Sequence, residues 1–168
     1  MCRMLLLVSK EPILLPQKIL GGLKKIARNG LSIKCGIGAH GDGYGIAWIT
    51  QNGLGIYKSL NPIWEESINF PPAYVFIIHA RKISIGGKTL NDTHPFVHNN
   101  IVLIHNGTIY AFKRNPVGYK PVGKTDSEKF LCIIAEYYDV YGDILSATLN
   151  AIRDVELYSS LNSFIISL

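Results

Sequence analysis

A layered α+β domain is the fold class this sequence predicts, on three observations. Strand-like runs cluster in the middle of the chain and helix-like runs stand at its flanks, which favours helices layered on sheet. The chain has 168 residues, enough for a single domain (1–168) with a substantial core. Nearly half of those residues are apolar and only 17% are charged, a globular balance rather than a disordered one.

The elements follow in order. Residues Cys2 to Val8 form a short apolar run that reads as a buried strand. PQKILGGLKKIARNG reads as a helix, with Pro16 in its first turn, an apolar stripe of Ile19, Leu20, Leu23, Ile26 and Ala27, and Gly30 as C-cap. Gly21 and Gly22 weaken that helix by about 1 kcal/mol each relative to Ala, so it needs tertiary support. Asn52-Gly53 predicts a type I′ hairpin turn between Ile46–Thr50 and Leu54–Lys58. Residues Asn61 to Phe70 read as a short helical or irregular crossing, and AYVFIIHA as a buried strand. A polar loop follows from Arg81 to Pro95, then a strand pair around Asn99-Asn100. Thr125 and Glu128 have capping-box spacing before a helix whose expected face is Phe130, Ile133, Ile134, Tyr137, Tyr138 and Tyr141. A further helix covers Asp143 to Ile152, and LNSFIISL closes the chain as a strand.

Charge and cysteine content narrow the function. The formal net charge is +5, with Lys24, Lys25 and Arg28 near one helix end and Lys113, Arg114, Lys120 and Lys124 in a loop. No stretch is a nucleic-acid tract; the cations read as solvated surface or as attraction for anionic metabolites. Cys2, Cys35 and Cys132 lack disulfide or zinc spacing, and Cys35 and Cys132 read as small buried hydrophobes. His79, His94, His98 and His105 form no HxH or HxxxH pair, so no metal and no cofactor is expected, and core or turn histidines are the default. MLLLV is too short for a signal segment, and no run approaches the ~20 apolar residues of a membrane span. The expectation is a cytoplasmic protein without membrane contact.

The opening MCRMLL places a cysteine where removal of one methionine makes it N-terminal. Such a residue carries a thiol of ordinary pKa about 8.5 beside an α-amine of about 7.7–8.0, a nucleophile and a base together. HGDGYG, HARKIS, NDTHPF, LIHNGTI and GKTDSEKF follow it in order. Together with MCR these motifs resemble the class II glutamine amidotransferases of the N-terminal-nucleophile hydrolase superfamily, and MCRML with THPF looks most like the small stand-alone glutaminase-type branch. The similarity runs from Cys2 to about Asp126. HGDGYG has Tyr44 where the commoner form of the branch has Trp. Gly41, Gly43 and Gly45 read as tight backbone geometry rather than a phosphate loop, since no Walker lysine follows.

The resemblance implies an αββα sandwich, shortened at the C-terminus, because relatives continue through further strands. It implies that Met1 is removed and that Cys2 attacks the glutamine side-chain amide, giving a thioester and ammonia. It assigns Asn106 and Gly107 to the oxyanion, Arg81 to the substrate α-carboxylate and Asp126 to the α-ammonium, with Ser84 in support on the loop after Arg81. Each has a plainer reading: Cys2 a strand hydrophobe, Arg81 a surface cation, Asn106-Gly107 a turn after a strand Ile101–His105, and Asp126 a partner of the helix dipole. A Cys2–His105 dyad is the rival base arrangement.

With no acceptor domain in the chain, the expected partners are glutamine or a γ-glutamyl compound and an ammonia-accepting synthase subunit. An unpaired sheet edge would also invite a homo-oligomer. The alternatives are an amidohydrolase of γ-glutamyl peptides, a non-catalytic interaction subunit that keeps the fold, and a histidine-based metal hydrolase.

Overall fold

A computed structural model describes residues 2–32 and 36–168, with backbone alone at 31, 32, 36 and 37. Cys35 and Met1 lie outside the described residues. The chain forms two compact units, Met1–Ile83 with Lys88–Pro95, and Ser84–Gly87 with Phe96–Leu168.

The first unit is built on an antiparallel sheet in the order β1-β6-β4-β5, from β1 (Arg3–Ile13), β4 (Tyr44–Thr50), β5 (Gly53–Ser59) and β6 (Ala73–Ala80). A two-stranded ribbon, β2 (Leu31–Ser32) and β3 (Gly36–Ile37), stands apart from that sheet. β6 is an interior strand, which is why AYVFIIHA reads as a continuous apolar run rather than an alternating one. Phe76, Ile78 and Ala80 share a core with Leu20, Leu23 and Ala27 of α1 (Gln17–Arg28). That core supplies the support the Gly21-Gly22 helix requires, each fully buried aliphatic side chain contributing about 1.5–3 kcal/mol.

Two local expectations need correction here. Ile19 and Ile26 are exposed, so the buried stripe of α1 is narrower than its apolar pattern. Gly30 is not the cap: Asn29 caps the helix, its amide donating to the Lys25 carbonyl at 3.0 Å. Gly30 is small for another reason, because a Cβ there would stand 2.2 Å from Cε1 of His40. The β4–β5 hairpin has the expected strands but not the type I′ turn. Thr50 pairs with Gly53, Asn52 keeps a negative φ, and only Gly53 (φ +115°) is left-handed. The Thr50 hydroxyl accepts the Asn52 amide at 3.1 Å, a local bond that favours this turn over the symmetrical one.

The irregular 61–70 crossing is pinned by Glu66. Its carboxylate accepts hydrogen bonds from Ser59 (2.5 Å), Tyr44 (2.5 Å), Tyr57 (3.0 Å) and Asn61 (3.0 Å). Burial works against the ionised form, but the four donors outweigh it and hold the carboxyl below its usual range. The stabilisation is therefore complete above the ordinary carboxylate pKa of about 4.3 and is lost as pH falls through the lowered folded value. We expect Glu66→Gln to lower the melting temperature at pH 7 and to flatten its acid-side fall. A variant whose acid limb matched the parent's would show that Glu66 is not the titrating group.

The second unit carries a three-stranded antiparallel sheet, β7-β8-β9, from β7 (Phe96–His98), β8 (Ile101–Phe112) and β9 (Val155–Ser167). The β7–β8 turn falls at Asn99-Asn100 as expected, with Asn99 left-handed at φ +50°. Thr125 caps α2 (Asp126–Tyr141), accepting the Glu128 amide at 3.2 Å. Only half of a capping box forms, because the Glu128 carboxylate instead accepts the Val122 and Gly123 amides. α2 is buried all round from Phe130 to Ala135 rather than on one face. It packs both on the sheet and on α3 (Ile144–Arg153), whose Ala147 and Ala151 allow close approach, while Tyr141 is exposed. Arg114 ties this unit's periphery, its Nε donating to Asp154 at 2.6 Å and its Nη1 to Glu136.

Candidate functional site

The first unit places Cys2 beside Arg81. β1 and β6 run antiparallel with Arg3 opposite Ala80, so the residue before one strand meets the residue after the other. The Cys2 Sγ accepts the Lys82 amide at 3.3 Å and donates to the Lys82 carbonyl at 3.5 Å. Burial pushes the thiol above its ordinary pKa, against the lowering pull of the Lys82 amide and the Arg81 charge. The resting group is a thiol, so it needs a base to become a nucleophile.

Arg81 is 3% exposed, which removes the surface-cation reading. Its backbone is clamped by the HGDGYG segment: its amide donates to Gly43 at 2.9 Å, and its carbonyl accepts the Asp42 amide at 3.1 Å. The Asp42 carboxylate then accepts the Ile83 amide at 2.8 Å. Its 3.7 Å ion pair with Lys82 is solvent-accessible and adds little. Asp42 is the functional candidate that sequence reasoning missed. The available signal was a carboxylate between two glycines directly ahead of a strand. Gly43 does need to be glycine, with φ +121° and a would-be Cβ 2.8 Å from the Ser59 carbonyl oxygen.

The second unit assembles Ser84, Asn106, Gly107 and Asp126. Asn106 and Gly107 stand inside the twelve-residue strand β8, opposite Asn162 and Leu161, so the turn reading fails. The β8–β9 register shifts between Gly107 and Ile109, a bulge that bends the strand at this pair. The Ser160 hydroxyl donates to the Asn106 carbonyl at 2.9 Å, and the Ser159 hydroxyl accepts the Thr108 amide at 2.9 Å. Thr108 in turn donates to Ser84 Oγ at 3.2 Å. Glycine at 107 is a steric requirement, since a Cβ would meet the Ser160 carbonyl oxygen at 1.9 Å.

The start of α2 is stitched to the same strand. Asp126 Oδ2 accepts the Ile109 amide at 2.7 Å. His105 Nε2 faces the Ser160 carbonyl at 3.0 Å, and a carbonyl can only accept, so Nε2 carries the proton. Nδ1 then accepts from the Ser127 hydroxyl at 2.9 Å. Burial lowers the His105 pKa and keeps the ring neutral. Both nitrogens are engaged within their own unit, so His105 is a strand-to-helix strut and not a ready base.

His79 and His94 stack with ring centroids 4.0 Å apart. Cys132 is fully buried, its thiol pushed up to about 12 by burial and the Glu128 and Glu136 charges, and it lies 3.2 Å from His98 Nε2. Among the described residues, no group of three or more His, Cys, Asp or Glu could hold a metal ion. Nor is any described helix long and apolar enough to cross a membrane.

Comparison with known proteins places this chain in a family. The chain is 32% identical to the Escherichia coli protein named "Putative glutamine amidotransferase YafJ" over 108 residues, 58% of this chain and 42% of that protein. It is 29% identical to a glutamine–fructose-6-phosphate aminotransferase (isomerizing) of Sulfurisphaera tokodaii over 168 residues, 93% of this chain and 27% of that protein. The chain thus spans less than half the length of these curated relatives. The fold is similar to the crystal structure of a predicted glutamine amidotransferase from Pseudomonas aeruginosa, with a TM-score of 0.59 at 24% identity, covering 83% of this chain and 62% of that one. Residues 24–159 match the family model for class-II glutamine amidotransferases, and with four-fifths of its length inside that match the chain belongs to this family.

Proposed function

We propose that this chain is a glutaminase domain of the N-terminal-nucleophile type, with the αββα fold class of that superfamily. Loss of Met1 frees the α-amine of Cys2. That amine takes the thiol proton as sulfur bonds to the glutamine side-chain carbonyl carbon. The Asn106 side-chain amide and the Gly107 N–H hold the oxyanion, and the amine returns the proton to the nitrogen as the C–N bond breaks. Ammonia leaves and a thioester remains; water then attacks it to give glutamate and the free thiol. Arg81 grips the α-carboxylate with parallel hydrogen bonds, Asp126 Oδ1 takes the α-ammonium, and Ser84 steadies the loop after Arg81. The ammonia passes to a synthase partner.

The observation that carries this reading is the placement of the Cys2 thiol on the Lys82 backbone, one residue from a buried arginine and eighty residues away in sequence. A thiol held protonated by burial suits an adjacent amine as base. Intact mass spectrometry should find the mature chain beginning at Cys2, and active protein that retains Met1 would remove the proposed base. Because the amine must be unprotonated, kcat/KM for glutamine should fall about tenfold per pH unit below about 7.7 and level off above 8.0. Ammonia release from γ-glutamyl peptides, measured alongside, decides between glutamine and its conjugates.

A further inference from the structure

On the first unit, well removed in sequence from Cys2 and Arg81, Gly21, Lys24, Lys25, Arg28 and Asn29 of the α1 region line an open surface cavity with Trp64. Its volume of about 540 Å³ lies in the range of small-molecule sites. α1 also carries Lys18 and contains no acidic residue. Lys24 donates to the Glu66 carbonyl at 2.7 Å, which fixes its ammonium at the pocket wall. Lys25 and Arg28 form no ion pair among the described residues. The Trp64 ring rests near Gly41, where a Cβ would stand 2.9 Å from Cη2.

Gly21 and Gly22 sharpen the point. Both are poor helix formers, and among the described residues a Cβ at either would meet no atom within 4 Å, so packing against those residues does not require them. Gly21 lines the cavity and Gly22 does not. The helix dipole accounts for cations in the last turn of α1. It does not account for a concave wall, an indole or bare backbone facing the cavity.

We propose that this cavity binds a phosphorylated small molecule, its ring stacked on Trp64 and its phosphate held by Lys25 and Arg28, with Gly21 leaving room against the helix. The guanidinium fork of Arg28 matches phosphate oxygens, and an indole face accepts a flat or sugar ring. The site uses none of the residues assigned to glutamine, so it is tested by binding alone and stands or falls apart from the glutaminase reading.

Calorimetric titration of the full chain with adenosine triphosphate, glucose 6-phosphate and inorganic phosphate tests it. At least one ring phosphate should bind about tenfold or more tighter than inorganic phosphate, and Lys25→Glu with Arg28→Glu should abolish that binding. Which of the two binds separates a nucleotide from a sugar-phosphate site. Gly21→Leu should raise the melting temperature by roughly 2–4 °C and lose the ligand, whereas Gly22→Leu should raise it similarly and keep the ligand. No binding by either ring phosphate, equal binding of inorganic phosphate, or full affinity in Gly21→Leu would overturn the proposal.

Discussion

Cys2→Ala should yield a folded protein that no longer releases ammonia from glutamine, with activity reduced at least roughly 10⁴-fold. The thiol's hydrogen bonds to the Lys82 backbone, at 3.3 and 3.5 Å, are weak, so alanine gives them up at little cost to the fold. Two other described side chains that could serve as base or nucleophile are unsuited to replace the sulfur. His105 has both ring nitrogens engaged, and Cys132 is fully buried with a thiol pushed up to about 12. Ammonia release and a thermal melt on the same preparation read the two effects separately. Normal turnover in this variant would refute the nucleophile assignment, and a non-catalytic subunit would show no selective labelling of Cys2 by a glutamine-mimicking electrophile.

The second large effect is structural in origin. Gly107→Ala forces a Cβ to within 1.9 Å of a backbone oxygen and 2.6 Å of His105 Nε2. Backbone cannot swing aside as a side chain can, so β8 and β9 must separate and the His105–Ser160 bond is lost. We expect a destabilisation of roughly 2–4 kcal/mol along with loss of activity. Asn106→Ala provides the contrast, removing a side-chain donor without adding bulk. It should keep the melting temperature within a few degrees and lower kcat about 10²–10³-fold, the usual effect of deleting an oxyanion donor. If Asn106→Ala retained full kcat, the oxyanion role would move elsewhere.

Local sequence was sufficient wherever a few neighbouring residues settle the conformation. Thr125 caps α2 because a hydroxyl three residues before an amide reaches it, and Asn99 turns β7 into β8 because asparagine tolerates a positive φ. The composition of β6 announces an interior strand, and six ordered motifs were enough to indicate the family. Residues whose roles depend on distant partners were another matter. Asn106-Gly107 has the composition of a turn and becomes mid-strand only because β9, more than fifty residues later, pairs with it. Asp42 gains a purpose only once β4 and β6 pair and bring the Arg81–Ile83 segment beside the HGDGYG loop. Gly30, Gly41 and Gly107 are glycines because His40, Trp64 and Ser160 arrive against them.

The sequence alone therefore determined where the helices and parts of the longer strands lie, which family the chain belongs to, and which residue types are available for chemistry. These follow from short-range sterics, hydrogen bonding and apolar periodicity. The tertiary structure decided which carboxylate clamps, which histidine is a strut and where a thiol meets an arginine. Those outcomes depend on pairing across tens of residues, where the chain's own neighbours carry no information about which surface will close against them.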